Sequence, residues 1–232
     1  MMLEQINKLT QKIDGWLTEK EGRLLYRLAK NCRGRGAIVE IGSWKGRSTV
    51  WLGKGSMRGS RTKIYAIDPH TGSSEHLKEN GKVWTFEEFK DNIKKAKVNQ
   101  LIIPLVETSK KAAKNFSRPV ELIFIDGAHE YQAVLHDFEL WFQKVIEGGV
   151  MAFHDTTNRF GPGKVVKDLV FQSKYFKNVG IVDSITFAQK VKENSAKDRL
   201  RNKYLLSLKT SRELAAKLRL SRIRKAIGIR KA

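Results

Sequence analysis

The feature that most constrains this chain is an alternation. Short apolar runs rich in β-branched residues recur at 37–41, 63–67, 101–106, 120–125 and 150–153. Between them, residues 46–57, 84–97, 108–116 and 130–145 space their apolar side chains as helices do, and Gly161-Pro162-Gly163 introduces another helix through 171. Such alternation predicts an α/β fold in which parallel strands are buried between two helical layers. Residues 179–182 and 185–189, split by Asp183-Ser184, read as a closing antiparallel hairpin, giving a doubly wound, mostly parallel seven-stranded sheet. Two helices precede it, at 2–14 and 18–31, the second opening with Thr18 and Glu21 in the spacing of a capping box. The expected organisation is N-terminal helices over 1–36, the sheet domain over 37–190, and a basic, partly helical tail over 191–232.

Ligands of open parallel sheets sit at the carboxyl ends of the strands. Here the expected strand ends carry Glu40, Asp68, Asp126 and Asp155. Glu40-Ile41-Gly42-Ser43-Trp44-Lys45-Gly46 has the spacing acid-x-Gly-x-x-x-Gly. Gly42 lets backbone come close to a ligand, and Gly46 lets the next helix start tightly against the strand. The Ser48 hydroxyl faces a ligand or caps that helix, and Trp44 packs on the ligand or into the core. A carboxylate at Glu40 repels phosphate and suits an amine-bearing, cationic ligand; the Gly-Lys-Ser/Thr ending of a phosphate loop is absent. Asp68, 28 residues further on, is placed to accept hydrogen bonds from both hydroxyls of a ribose. The plainer alternative is a pair of turn glycines and an acid that caps a loop.

Residues 39–49, Val-Glu-Ile-Gly-Ser-Trp-Lys-Gly-Arg-Ser-Thr, resemble motif I of class I S-adenosylmethionine-dependent methyltransferases, and Asp68 looks like their ribose-binding acid. The stretch is similar to a bacterial small-molecule and sugar O-methyltransferase group, related to macrocin O-methyltransferase and more distantly to catechol O-methyltransferase. The similarity spans about 17–189 and leaves out the tail. It implies a Rossmann-like sheet with S-adenosylmethionine held at Glu40, Gly42, Ser43, Trp44, Gly46, Ser48, Asp68 and Asp126. Ser109 would approach the adenine, or else cap a helix.

Methyl transfer to a hydroxyl needs a base, a charge that lowers the hydroxyl pKa, and alignment. In Asp126-Gly127-Ala128-His129 the histidine is the natural base, with an unperturbed pKa near 6.5. Asp126 and Asp155 are oxygen ligands suited to Mg²⁺. The resemblance implies that Asp126 serves as a metal ligand and that an acidic pair follows the next strand; in this chain His154 stands where that pair's first acid would be. A His154, Asp126 and Asp155 set suits Mn²⁺, Fe²⁺ or Zn²⁺ as well as Mg²⁺. Structural alternatives stand beside each role: a turn residue for Asp126, a helix terminus for His129, a loop cap for Asp155. His136 lies inside an expected helix and is read as structural. Residues 70–82, with His70 and His76, read as a polar loop.

The chain's +21 charge is uneven: residues 197–232 hold 13 Lys and Arg against two acids, a net of +11. Apolar residues accompany that charge without forming one clean stripe. Three readings compete for the tail: an anionic membrane surface, favoured because of those apolar residues; nucleic acid; or a solvated extension, or one packing on another subunit of a homo-oligomer. One cysteine, Cys32, excludes an internal disulfide; residues 1–30 mix charges into every apolar stretch and no run of about 18 apolar residues appears, so neither a secretory leader nor a transmembrane helix is expected. The expected setting is cytoplasmic, peripheral to the inner face of the membrane. The function expected is O-methylation of a small-molecule or glycan hydroxyl. Its rivals are an RNA methyltransferase, a dehydrogenase on the same sheet, and a non-catalytic binding module.

Overall fold

The structure is a computed structural model that describes residues 2–72, 83–157 and 159–226. Its centre is a seven-stranded sheet: β1 (Ala37–Ile41), β2 (Ile64–Ile67), β3 (Ile102–Leu105), β4 (Val120–Ile125), β5 (Val145–Phe153), β6 (Phe176–Val182) and β7 (Ile185–Lys190). The order is β3-β2-β1-β4-β5-β7-β6, parallel through β5 and antiparallel at the β5-β7-β6 end. Every residue of β1 and β4 is buried, as expected of strands covered on both faces. One face packs Ile38, Leu122 and Phe124 against α1 (Met2–Thr10), α2 (Glu19–Lys30), α3 (Arg47–Arg58) and α4 (Phe86–Lys95). The other packs Val39, Ile123 and Met151 against α5 (Ser109–Asn115), α6 (Tyr131–Phe142) and α7 (Phe160–Val166).

Register places the site. Ile41 pairs with Ile67 and Ile125, and Ile125 with Phe153, so four strands end level. The residues that follow, Gly42, Asp68, Asp126 and His154, therefore line one edge. The reversal of strand order between β1 and β4 opens the crevice where such sheets bind ligands.

Several boundaries differ from the sequence reading. β5 begins at Val145, because Gly148 (φ 80°) sits in a register shift inside the strand and does not end a turn before it. α6 accordingly ends at Phe142. β6 starts at Phe176, whose ring is fully buried. α1 stops at Thr10, and the chain beyond it is tied to the β1–α3 loop and the first residue of α3: Asp14 pairs with Lys45, and Arg47 donates to the Gly15 carbonyl. A π-helical turn, Lys167–Phe171, completes α7. The tail is one helix, α8 (Ala196–Ala226). Apart from 70–72, the expected loop over 70–82, with His76, lies outside the described residues, as do tail residues 227–232. Among the described residues no helix is long and apolar enough to cross a membrane.

Candidate active site

At the end of β1, Gly42 adopts φ 84°, and a Cβ there would lie 2.0 Å from the Asp126 carbonyl oxygen. Only glycine allows the two strand ends this close. Gly46 is the N-cap of α3, at φ 90°. Glu40 is fully buried, and Thr49 and Ser48 in the first turn of α3 hydrogen-bond its carboxyl. Burial raises its pKa to about 7, with Asp126 and Asp68 adding to the rise against the two hydroxyls. Glu40 Oε1 and the buried Ser43 hydroxyl have no hydrogen-bond partner. Leaving such atoms unmet costs about 1–3 kcal/mol each, so they mark a place where a ligand would complete the bonding.

Asp68 accepts from the Trp44 N–H at 2.7 Å and from the His70 N–H at 2.6 Å. Its carboxylate is thereby fixed toward the loop after β1. Trp44, at φ 45°, is half-buried; its ring centroid lies 6.5 Å from that of Trp16, and the Lys45 ammonium 5.7 Å above it. His70 is wholly buried beside Phe86 and Phe89, with Nδ1 2.9 Å from the Thr85 hydroxyl, and burial lowers its pKa. It belongs to the wall behind Asp68.

Ser109 is not the cap of α5, as one reading had it. Thr108 caps that helix by accepting from the Lys111 N–H. The Ser109 hydroxyl instead accepts from the Trp141 indole at 2.9 Å and hydrogen-bonds Asp137, joining α5 to α6. A Cβ on Gly127 would lie 3.6 Å from Asp137 Oδ2, which brings this pair beside the strand end of Asp126. Asp137 escaped the sequence reading because a lone helical acid looks like any solvent-facing one.

The second group converges on His154, which follows β5. Its Nδ1 lies 3.0 Å from Asp126 Oδ1 and 3.7 Å from Asp155 Oδ1; its Nε2 lies 3.4 Å from Glu21 Oε2. His129 Nε2 is 3.1 Å from Asp155 Oδ2. A Cβ on Gly161 would fall 2.1 Å from the His129 carbonyl, so α7 presses directly on the loop that carries the histidine. Asp155 itself holds φ 55°. His154 and Glu21 are buried, whereas Asp126, His129 and Asp155 reach the surface of the crevice. His136 sits exposed in α6, outside this group.

Electrostatics follow from the geometry. Burial alone would lower the His154 pKa, but Asp126, Glu21 and Asp155 together raise it to about 11. Burial would raise Glu21, yet bonds from His154, Ser184 and Thr18 lower it to about 2. The bond to Asp155 raises His129 against burial, and Asp155 is lowered in turn by His129 and His154 despite burial. Burial raises Asp126 against the pull of His154.

Glu21 is the residue that sequence reasoning placed correctly and understood too narrowly. Its carboxylate does close the capping box with Thr18, but it also accepts from the Ser184 N–H (2.8 Å) and hydroxyl (2.6 Å).

Comparisons with known proteins agree with this architecture. An "uncharacterized protein" of Acanthamoeba polyphaga mimivirus is 30% identical over 142 residues, covering 56% of this chain and 59% of the viral protein. The chain thus spans about three-fifths of the length of that curated relative. Among solved structures, the O-methyltransferase TomG from Streptomyces achromogenes, in complex with S-adenosylmethionine, superposes with a TM-score of 0.58 at 16% identity, over 82% of this chain and 89% of that one. An O-methyltransferase from Bacillus cereus, in complex with S-adenosylhomocysteine, gives 0.55 at 16% identity, over 81% and 90%. At that identity the likeness is one of fold. Residues 39–156, just over half of the chain and including every strand end described above, match the methyltransferase domain family, and the chain belongs to that family.

Proposed function

We propose that the protein transfers a methyl group from S-adenosylmethionine to a hydroxyl of a small molecule or glycan, with a divalent cation beside the acceptor. The observation that carries this reading is the adjacency across Gly42: the Glu40–Asp68 crevice and the His129–Asp155–His154–Asp126 cluster occupy neighbouring strand ends. Glu40 Oε1, buried without a partner, is suited to the ammonium of the methionine part. Asp68 is preset by two backbone donors to receive ribose hydroxyls. In this reading Gly46 and Ser48 hold the start of α3 against the ligand and Trp44 packs on it, while Ser109 acts by setting Asp137 beside the end of β4.

The donor set fits a divalent cation that takes the place of the proton its carboxylate neighbours otherwise hold on His154. Asp126, His154 and Asp155 each offer one ligand atom, all within 4.8 Å of one another. His154 Nδ1 is buried and lies off the line of any hydrogen bond, while Nε2 faces Glu21. A carboxylate behind a ligating histidine fixes its tautomer and orientation in this way. When bound, the cation supplies positive charge that lowers the acceptor pKa. Asp155 divides its oxygens, Oδ1 toward His154 and the cation position, Oδ2 toward His129. That bond orients the imidazole, and the acceptor proton is taken at Nδ1, the ring nitrogen turned away from Asp155.

Calorimetric titration with S-adenosylhomocysteine, with and without Mn²⁺, tests the reading, with Asp68→Ala as control. Binding by the parent chain and none by the variant is expected. No binding under any condition would overturn it.

A further inference from the structure

α8 presents two faces. The inner one is fastened to the body: the Asn202 amide donates to the Phe176 carbonyl at 3.1 Å, the buried Lys209 ammonium to the Thr156 carbonyl at 2.8 Å, and Leu205 and Leu206 pack against the core. On the opposite side, Leu200, Tyr204, Ser207, Ser211, Leu214 and Leu218 follow in steps of four and three, the spacing that keeps residues on one helical face. Leu200 is 71% exposed, Tyr204 63%, Leu214 58% and Leu218 53%. Arg201, Lys203, Arg212 and Arg219 are exposed along its flanks. Apolar residues on both faces explain why no single stripe stands out in the sequence.

We propose that this outward face of α8 binds the surface of an anionic lipid bilayer, with the helix lying in the plane of the headgroups. An apolar row between basic flanks is what an interfacial helix offers a membrane, and the chain's +21 charge complements anionic headgroups. A second copy of the chain fits less well, because Arg201 and Lys203 would meet their own kind along the seam and Ser207 and Ser211 interrupt it. Nucleic acid would use the charge and leave the leucines in water. Lys209 ties the helix to the residue after Asp155, so docking would hold the carboxyl edge of the sheet at a set distance from the bilayer.

Co-sedimentation of the full chain with vesicles tests this independently of any methyl transfer. Binding is expected to vesicles of phosphatidylcholine mixed with phosphatidylglycerol, and little to phosphatidylcholine alone. Leu200→Ser with Leu214→Ser should weaken partition about tenfold or more. Arg201→Gln with Arg212→Gln should weaken it about fivefold per charge, an effect that salt reproduces. All four positions are exposed, so both variants should melt as the parent does, and circular dichroism checks this. Absence of binding to anionic vesicles would overturn the proposal. So would a leucine variant that binds as the parent does, since charge alone would then suffice. A parent that elutes as a dimer and a leucine variant that elutes as a monomer would instead assign the face to a second copy.

Discussion

Glu21 and His154 are 133 positions apart in the chain and 3.4 Å apart in the fold. One carboxylate thereby caps α2, holds the β6–β7 turn through Ser184, and backs the central imidazole of the candidate site. The pair implies a pH profile for folding. Glu21 is depressed to about 2, so its contribution is present above about 4.5 and is lost as pH falls toward 2. His154 is raised to about 11, so its contribution is complete below about 6.5 and fades as pH rises toward 11. Metal-free protein should therefore be most stable between about pH 4.5 and 6.5. Glu21→Gln should cost about 3 kcal/mol there, the lower end for breaking a buried pair, and flatten both limbs. Urea unfolding across pH reads this; equal losses at every pH would contradict the pairing.

His129 is raised by its bond to Asp155, and the proposed reaction needs it neutral. The acid limb of kcat/KM should lie above pH 6.5, with rate falling as pH drops through it. His129→Ala should lose roughly 10²–10⁴ in turnover while keeping S-adenosylhomocysteine affinity. Normal turnover by that variant removes His129 from the base role.

Glu40, held near 7 by burial, should ionise when a cationic ligand arrives beside it. Binding of S-adenosylhomocysteine should then release a proton and tighten about tenfold between pH 6 and 8. The calorimetric enthalpy should track the ionisation enthalpy of the buffer. Glu40→Gln should abolish both dependences. A parent enthalpy that ignores the buffer would show that Glu40 does not meet the charge.

The parts of the fold legible in the sequence were those written in local pattern. Buried strands such as residues 120–125 announce themselves by apolar runs, and the acids at their ends fall where a parallel sheet must gather them. What stayed hidden depends on contacts between distant segments. Thr18 and Glu21 read as a cap, and nothing near them in sequence points to Ser184 or His154. Ser109 reads as the start of a helix, yet its hydroxyl is set by Trp141, 32 positions away. In β5, the register of Val145 against Val120 carried the strand through Gly148, overriding the local turn signal. The outward face of α8 emerges only once Asn202 and Lys209 show which side is turned in.

Two glycines should separate binding from chemistry. A methyl at Gly42 would lie 2.0 Å from the Asp126 carbonyl oxygen, on a residue already at φ 84°. Gly42→Ala must push β1 and β4 apart at their ends or leave the left-handed region, at a cost of more than about 2 kcal/mol. S-adenosylhomocysteine binding should fail with it. At Gly161 the methyl would meet the His129 carbonyl at 2.1 Å, on the loop after β4 and not on β1, which carries Glu40. Gly161→Ala should displace the loop of His129 and lower kcat by tenfold or more, about 1.4 kcal/mol in the barrier, while ligand affinity stays within about twofold. Calorimetry and turnover measured on both variants decide the matter. Loss of binding in Gly161→Ala, or its retention in Gly42→Ala, would mean that the two strand ends do not divide the work as their geometry indicates.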